Sequence, residues 1–241
     1  MMITPRIVEV RRNILKRNDE IAHSLRQRFH DAGVFVVSLV SSPGSGKTAL
    51  LERTLATLRE EYKVAALVGD LATDNDRARL ARSGAPVKQI STGTICHLEA
   101  SMVSVAIDDW DLKALDFLFV ENVGNLVCPS SWDLGEDLRA VLLSVTEGED
   151  KPLKYPTIFN SADVAIITKV DLADAVEFEA QLAARNIQAV RPGMRTLEVS
   201  TKLGHGFASW LDFLIESRKM RCGLGLAESK HAALYKSGTL E

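Results

Sequence analysis

Cysteine is scarce in this sequence, with only three residues, and an odd number of thiols cannot all pair within one chain. A disulfide scaffold is excluded, and reduced thiols in a cytoplasmic setting are expected. Excess charge is also missing, since 29 Lys and Arg against 32 Asp and Glu leave a formal net charge of −3. Without a basic surplus, a nucleic-acid partner lacks its main electrostatic source. No apolar run approaches the roughly 18 residues that a membrane helix needs. The longest, Val34–Val40 and Leu115–Val120, are of strand length. The opening MMITPRIVEVRRN has no apolar segment of the signal-peptide kind, so neither secretion nor membrane attachment is expected.

What is present is an ordinary globular balance of 46% hydrophobic and 25% charged residues over 241 positions. A chain of this length buries roughly 70% of its unfolded surface without staples. Ile7, Ile14, Ile21, Leu25 and Phe29 recur at helical steps, predicting an amphipathic helix over 6–31 that Gly33 closes. His23 and His30 fall on it as solvated residues. Strand signals then alternate with helix signals. Strands are expected at 34–40, 64–68, 115–120, 139–145, 162–168 and 196–199. Helices are expected at 48–62, 74–83, 96–109, 174–185 and 205–219. Such alternation predicts βαβ units and a mostly parallel sheet. One domain over 1–241 accounts for the pattern, with a helical arm at 1–32 and a tail at 221–241 of no evident role.

The stretch Ser41-Ser42-Pro43-Gly44-Ser45-Gly46-Lys47-Thr48 lies between a buried strand and a helix, the context that a phosphate-binding loop requires. Gly44 and Gly46 let backbone N–H groups turn toward phosphate oxygens. Lys47 supplies a point charge to the β- and γ-phosphates, and Thr48 a hydroxyl for Mg²⁺. The helix that follows directs its positive end at the same place. Ser45 and Ala49 complete the contacting set. Ser41 stands where the usual pattern has Gly.

Thr168-Lys169-Val170-Asp171 resembles the guanine-recognition motif NKxD, with Thr168 where Asn is commoner. Asp171 would accept hydrogen bonds from guanine N1–H and N2–H₂, which adenine does not offer. Lys169 would lay its aliphatic stem along the ring. Ser200-Thr201-Lys202 resembles the segment that contacts the guanine carbonyl. Glu121-Asn122-Val123-Gly124 occupies the place of the DxxG switch, so Glu121 is a Mg²⁺ candidate and Gly124 admits the γ-phosphate. Asp70 is a second acid at the same crevice. Asp74 and Asp76 lie just beyond it, as solvated helix-start acids or, for Asp76 above all, as a group reaching the metal or attacking water. No Gln stands where a water-positioning residue is usual, so intrinsic hydrolysis is expected to be slow.

Cys96-His97 and Cys128-Pro129 form the remaining set. The thiols are either small core residues or ligands for Zn²⁺ or Ni²⁺. Adjacent residues on one helical turn point about 100° apart, so Cys96 and His97 are not expected to cap one ion alone. Two chains about a two-fold axis would pool their ligands. His205 and Cys222 read as incidental.

Together SSPGSGKTALLERTL, GDLATDNDRARL, TICHLEA, ENVGNLVCP, KPLKYP, ITKVDL and EVSTKLGHG resemble the successive motifs of the hydrogenase nickel-incorporation GTPase family, HypB, from the N-terminal helix to about residue 219. The resemblance implies a SIMIBI-class P-loop GTPase, an α/β fold with a mostly parallel sheet sandwiched by helices. It implies GTP/GDP and Mg²⁺ as ligands and Ni²⁺ (or Zn²⁺) as the second metal. Lys47, Asp70 and Asp76 would act in catalysis. Thr48, Asp70 and Glu121 would hold Mg²⁺, and Thr168, Lys169, Asp171, Ser200, Thr201 and Lys202 guanine. Cys96, His97 and Cys128 would hold nickel at a nucleotide-dependent homodimer interface. A HypA-type nickel chaperone and the [NiFe]-hydrogenase large-subunit precursor are the implied partners. The N-terminal CxxCxC and His-rich tracts of some members are absent from the sequence, so nickel storage is not expected. Ala100 and Ser104 replace further His residues found after the Cys-His pair in some members. The alternatives are a urease accessory GTPase, whose Cys-Pro-His motif is here Cys128-Pro129-Ser130, a GTPase chaperone of cobalamin-dependent mutases, and a P-loop small-molecule kinase.

Overall fold

In the computed structural model, residues 6–70 and 75–223 are described. Asp74 and the tail from 224 lie outside them. Seven strands form one sheet in the order β3-β2-β4-β1-β5-β6-β7, with every described pair parallel. They are β1 (Phe35–Ser41), β2 (Val64–Asp70), β3 (Val87–Ser91), β4 (Phe117–Glu121), β5 (Leu138–Ser144), β6 (Val164–Thr168) and β7 (Arg195–Val199). The helices are α1 (Arg6–Ala32), α2 (Lys47–Leu58), α3 (Asn75–Ala81), α4 (Ala100–Ala106), α5 (Lys151–Lys154), α6 (Pro156–Ser161), α7 (Ala180–Val190) and α8 (Phe207–Arg221).

All seven β1 residues are buried, because helices cover both sheet faces. Phe35, Val37 and Leu39 pack with Leu51 and Leu55 of α2 and Trp210 and Leu214 of α8. Val36, on the opposite face, packs with Leu25 and Phe29 of α1 and Val103 of α4. Val40 meets Ile158 of α6 and Ile187 of α7. The predicted parallel sandwich is therefore the observed one.

Local differences have physical reasons. Among the described side chains of α1, the apolar stripe is buried toward its C-terminal end, at Ala22, Leu25 and Phe29, while Ile14 is 49% exposed. That end of the predicted arm is thus part of a core layer. Strand β3 escaped notice because it is a five-residue edge with one fully buried position. Helices α5 and α6 are one or two turns with Pro near each start, too short to show a period. The helix predicted over 96–109 begins only at Ala100.

Strand β1 lies between β4 and β5, so the strand order reverses around its C-terminal end. Ligands of such sheets bind outside the carboxyl ends at this switch point. The phosphate-loop residues and Glu121 leave the sheet there.

Candidate nucleotide and metal sites

The chain turns sharply from β1 into α2. Gly44 and Gly46 adopt φ of 74° and 94°, a region that favours glycine. Lys47 folds back over the loop, its Nζ donating to Ser41 Oγ at 2.8 Å. Ser41 therefore fills a role that a glycine there could not. The Ser45 hydroxyl donates to the Ser42 carbonyl at 2.9 Å. Thr48 Oγ1 donates to Glu121 Oε1 at 2.6 Å, joining the α2 start to the end of β4. The other carboxylate oxygen of Glu121 is buried with no hydrogen-bond partner. Burial pushes the Glu121 carboxyl up to about 7, against the opposing pull of Lys47 and the Thr48 hydrogen bond. Burial also lowers the Lys47 ammonium, against Glu121 and Asp76.

Gly44, Gly46, Lys47, Thr48 and Glu121 wall a cavity of about 550 Å³, which Asp70, Asp76, Asn122 and Gly124 also line. A second cavity of about 580 Å³ is lined by Thr168, Lys169, Asp171, Thr201 and Lys202. Gly46, Ala49, Arg79 and Lys169 belong to both walls. Of the sequence-predicted phosphate and guanine residues, all but the buried Ser45 and Ser200 line this two-lobed groove. Thr168 Oγ1 donates to the Ser45 carbonyl at 2.6 Å. The hydroxyl in the Asn position therefore ties the β6 end to the phosphate loop. Lys169, at φ 58°, sends Nζ to the Gly44 carbonyl at 2.6 Å. Asp171 Oδ1 accepts from the Ser200 hydroxyl at 2.6 Å, so the two guanine-motif segments brace each other. Ser200 itself lines a smaller apolar cavity behind this loop, together with His205.

Cys96 and His97 precede α4 in an irregular segment, and Cys128 opens a 3-10 turn, Cys128–Ser131. Free of helical geometry, the pair does converge. One donor atom each from Cys96, His97 and Cys128 lies within 4.8 Å of the others in a single chain. This corrects the expectation, drawn from a helix at 96–109, that Cys96 and His97 diverge. The two sulfurs are 2.8 Å apart. Both His97 ring nitrogens are buried without a hydrogen-bond partner. Burial lowers the His97 pKa, against the nearby Glu99, and so favours the neutral ring that ligates metals. Two thiols and an unengaged imidazole fit a borderline-soft divalent ion. His205 lies apart from this set, and Cys222 is exposed.

Sequence reasoning missed three residues here. Arg79 stands between the two lobes of the groove. Asn122 Oδ1 accepts the Leu98 N–H at 3.2 Å, linking the Glu121 loop to the segment that carries His97. Trp132 stacks on the His97 ring. Only Asn122 carried a signal, its place inside Glu121-Asn122-Val123-Gly124.

A phosphate loop at the switch point of a parallel sheet, with a guanine-type motif at the end of β6, defines a P-loop GTPase fold of the SIMIBI class. The family model described as CobW/HypB/UreG, nucleotide-binding domain, matches residues 35–198. Hydrogenase maturation factor HypB of Rhizobium leguminosarum is 45% identical over 223 residues, covering 91% of this chain and 75% of that protein. Hydrogenase/urease maturation factor HypB of Helicobacter pylori is 41% identical over 216 residues, covering 88% of each. The crystal structure of HypB from Helicobacter pylori in complex with nickel superposes with a TM-score of 0.80 at 40% identity, covering 88% of this chain and 99% of that one. The chain belongs to the CobW/HypB/UreG family and, within it, to the HypB members.

Proposed function

We propose that this chain is a cytoplasmic GTP-hydrolysing nickel chaperone that helps to insert Ni²⁺ into the [NiFe]-hydrogenase large-subunit precursor. The observation that carries this reading is the convergence of Cys96, His97 and Cys128 beside the loop that leaves the phosphate cavity. A HypA-type nickel chaperone would be its partner. The solved relative in complex with nickel supports the choice of ion, with Zn²⁺ the competitor that such donors admit. Among the described residues, no helix is long and apolar enough to cross a membrane.

Gly44, Ser45, Gly46, Lys47, Thr48 and Ala49 would hold the phosphates, with Gly124 beside the γ-phosphate. Thr168, Lys169, Asp171, Ser200, Thr201 and Lys202 would select guanine. The orphaned Glu121 oxygen and the Thr48 hydroxyl beside it are hard oxygen donors that fit Mg²⁺, with Asp70 in reach of the same cavity. When bound there, Mg²⁺ would neutralise charge on the phosphate oxygens. Lys47 would swing from Ser41 to the phosphates, and Asp76 would orient the attacking water, with Asp70 as the second acid. Without a glutamine for that role, hydrolysis by the isolated chain would be slow.

A switch of this kind needs a different nickel affinity in each nucleotide state. GTP would close a homodimer that brings two Cys96/His97/Cys128 sets together, and hydrolysis would loosen the ion. The test is a Ni²⁺ titration with Mg²⁺ and either a non-hydrolysable GTP analogue or GDP, with oligomeric mass read on the same samples. A dimer and tighter nickel binding with the analogue are expected. Equal nickel affinity in both states would overturn the switch.

A further inference from the structure

The polar contact of the His97 ring is a long one, an ion pair with Glu99. Both ring nitrogens are buried without hydrogen-bond partners, and the nearest carboxylate oxygen, Glu99 Oε1, is 3.7 Å away. Its backbone runs through an irregular segment between β3 and α4. The flat contact of the ring is with the indole of Trp132, with centroids 4.4 Å apart and planes inclined by 29°.

Trp132 is itself tied to the interior. Its backbone N–H donates to the Pro129 carbonyl at 3.2 Å, and its backbone carbonyl accepts from Arg139 Nη2 at 2.7 Å. Arg139 is a β5 residue paired with Glu136 at 2.6 Å, and both are buried. Glu136 Oε1 also accepts from the Ser38 hydroxyl of β1 at 3.0 Å. The indole therefore sits on a perch anchored to two central strands, whereas the imidazole sits on a loop.

We infer that Trp132 is a positioning residue for nickel binding. Its indole fixes the plane of the His97 ring so that a nitrogen edge faces the sulfurs of Cys96 and Cys128. This rests on the reading that the Cys96/His97/Cys128 set binds nickel. Imidazole that is free to rotate must be ordered when the ion arrives, and the stack does that ordering in advance. The stacking energy of aromatic pairs corresponds to about three- to tenfold in affinity.

The test is a Ni²⁺ titration of the wild type, Trp132→Phe and Trp132→Leu, with equilibrium dialysis, tryptophan emission and near-ultraviolet absorption read together. Nickel is expected to quench wild-type emission, because an ion on His97, whose thiolate-to-nickel and ligand-field bands can accept the excitation energy, lies close to the indole. Trp132→Phe keeps a stacking ring, so it should hold affinity within about twofold of wild type while losing the quenching. Trp132→Leu should bind about three- to tenfold more weakly and shift the thiolate-to-nickel absorption. Leucine binding as tightly as wild type, with unchanged absorption, overturns the inference and leaves the nickel reading intact. Wild-type nickel binding without quenching does the same and requires no variant to fold. A wild type that binds no nickel in dialysis overturns both.

Discussion

Asn122 and Leu98 join the two chemistries of this protein. Asn122 lines the phosphate cavity, and its side chain accepts the Leu98 N–H at 3.2 Å, one residue beyond His97. Asn125, three residues further on, donates to the Cys96 carbonyl at 3.4 Å. A shift of the Glu121–Gly124 loop on γ-phosphate binding would therefore pull on the metal donors directly. Asn122→Ala should narrow the ratio of nickel affinities between the GTP-analogue and GDP states toward one. It also leaves the buried Leu98 amide unpaired, at a cost of about 1–3 kcal/mol. Paired nickel titrations and a urea melt measure both effects. A full nucleotide effect on nickel in this variant would show that coupling runs elsewhere.

Asp171→Asn should weaken GTP binding by roughly 10- to 100-fold, about 1.4–2.7 kcal/mol. The amide can no longer accept from both N1–H and N2–H₂. Xanthosine triphosphate, with a carbonyl in place of the 2-amino group, should gain, because the new amide donates to it. Competition between the two nucleotides against a fluorescent GDP is the measurement. Unchanged preference would remove Asp171 from base selection.

The order of the nucleotide motifs was legible in the sequence because each is local. A Gly-rich turn after a β-branched strand, and an acid at the end of the next central strand, carry their meaning within a few residues. The metal set was legible only as a list. Its geometry depended on whether Cys96 and His97 were helical, and the apolar run through Val103 drew the predicted helix too far back. The true start at Ala100 is set by a distant residue, Asn18 of α1, whose Oδ1 accepts the Ala100 N–H at 2.9 Å. Neither that bond nor the Trp132 stack has a local sequence signal.

Gly124→Ala tests the close approach of the switch loop to the phosphate loop. A Cβ at 124 would lie 3.0 Å from Pro43 Cα and N, backbone atoms that cannot swing aside. Overpacking of this kind typically costs about 1–3 kcal/mol. The displacement falls on the two loops that hold the phosphates. GTP hydrolysis and affinity should drop together, while circular dichroism still reports a folded chain. Normal turnover would mean that the loops can separate without penalty.

Arg79 offers the sharpest separation between stability and binding. It pairs with Glu52 at 3.2 Å, but the two side chains are 46% and 26% exposed. Such a pair contributes about 0–1 kcal/mol. Arg79→Ala should therefore leave the melting temperature almost unmoved. Yet this guanidinium stands at the junction of the phosphate and base lobes, where a bound nucleotide would present its ribose and α-phosphate. Charge-assisted contact there predicts a loss of roughly tenfold in GTP and GDP affinity, about 1.4 kcal/mol. Guanosine, which lacks phosphates, should lose far less. Calorimetric titration with GTP, GDP and guanosine, beside a thermal melt, reads all of this at once. A melting temperature that falls while nucleotide affinity holds would make Arg79 a tie between α2 and α3 and nothing more.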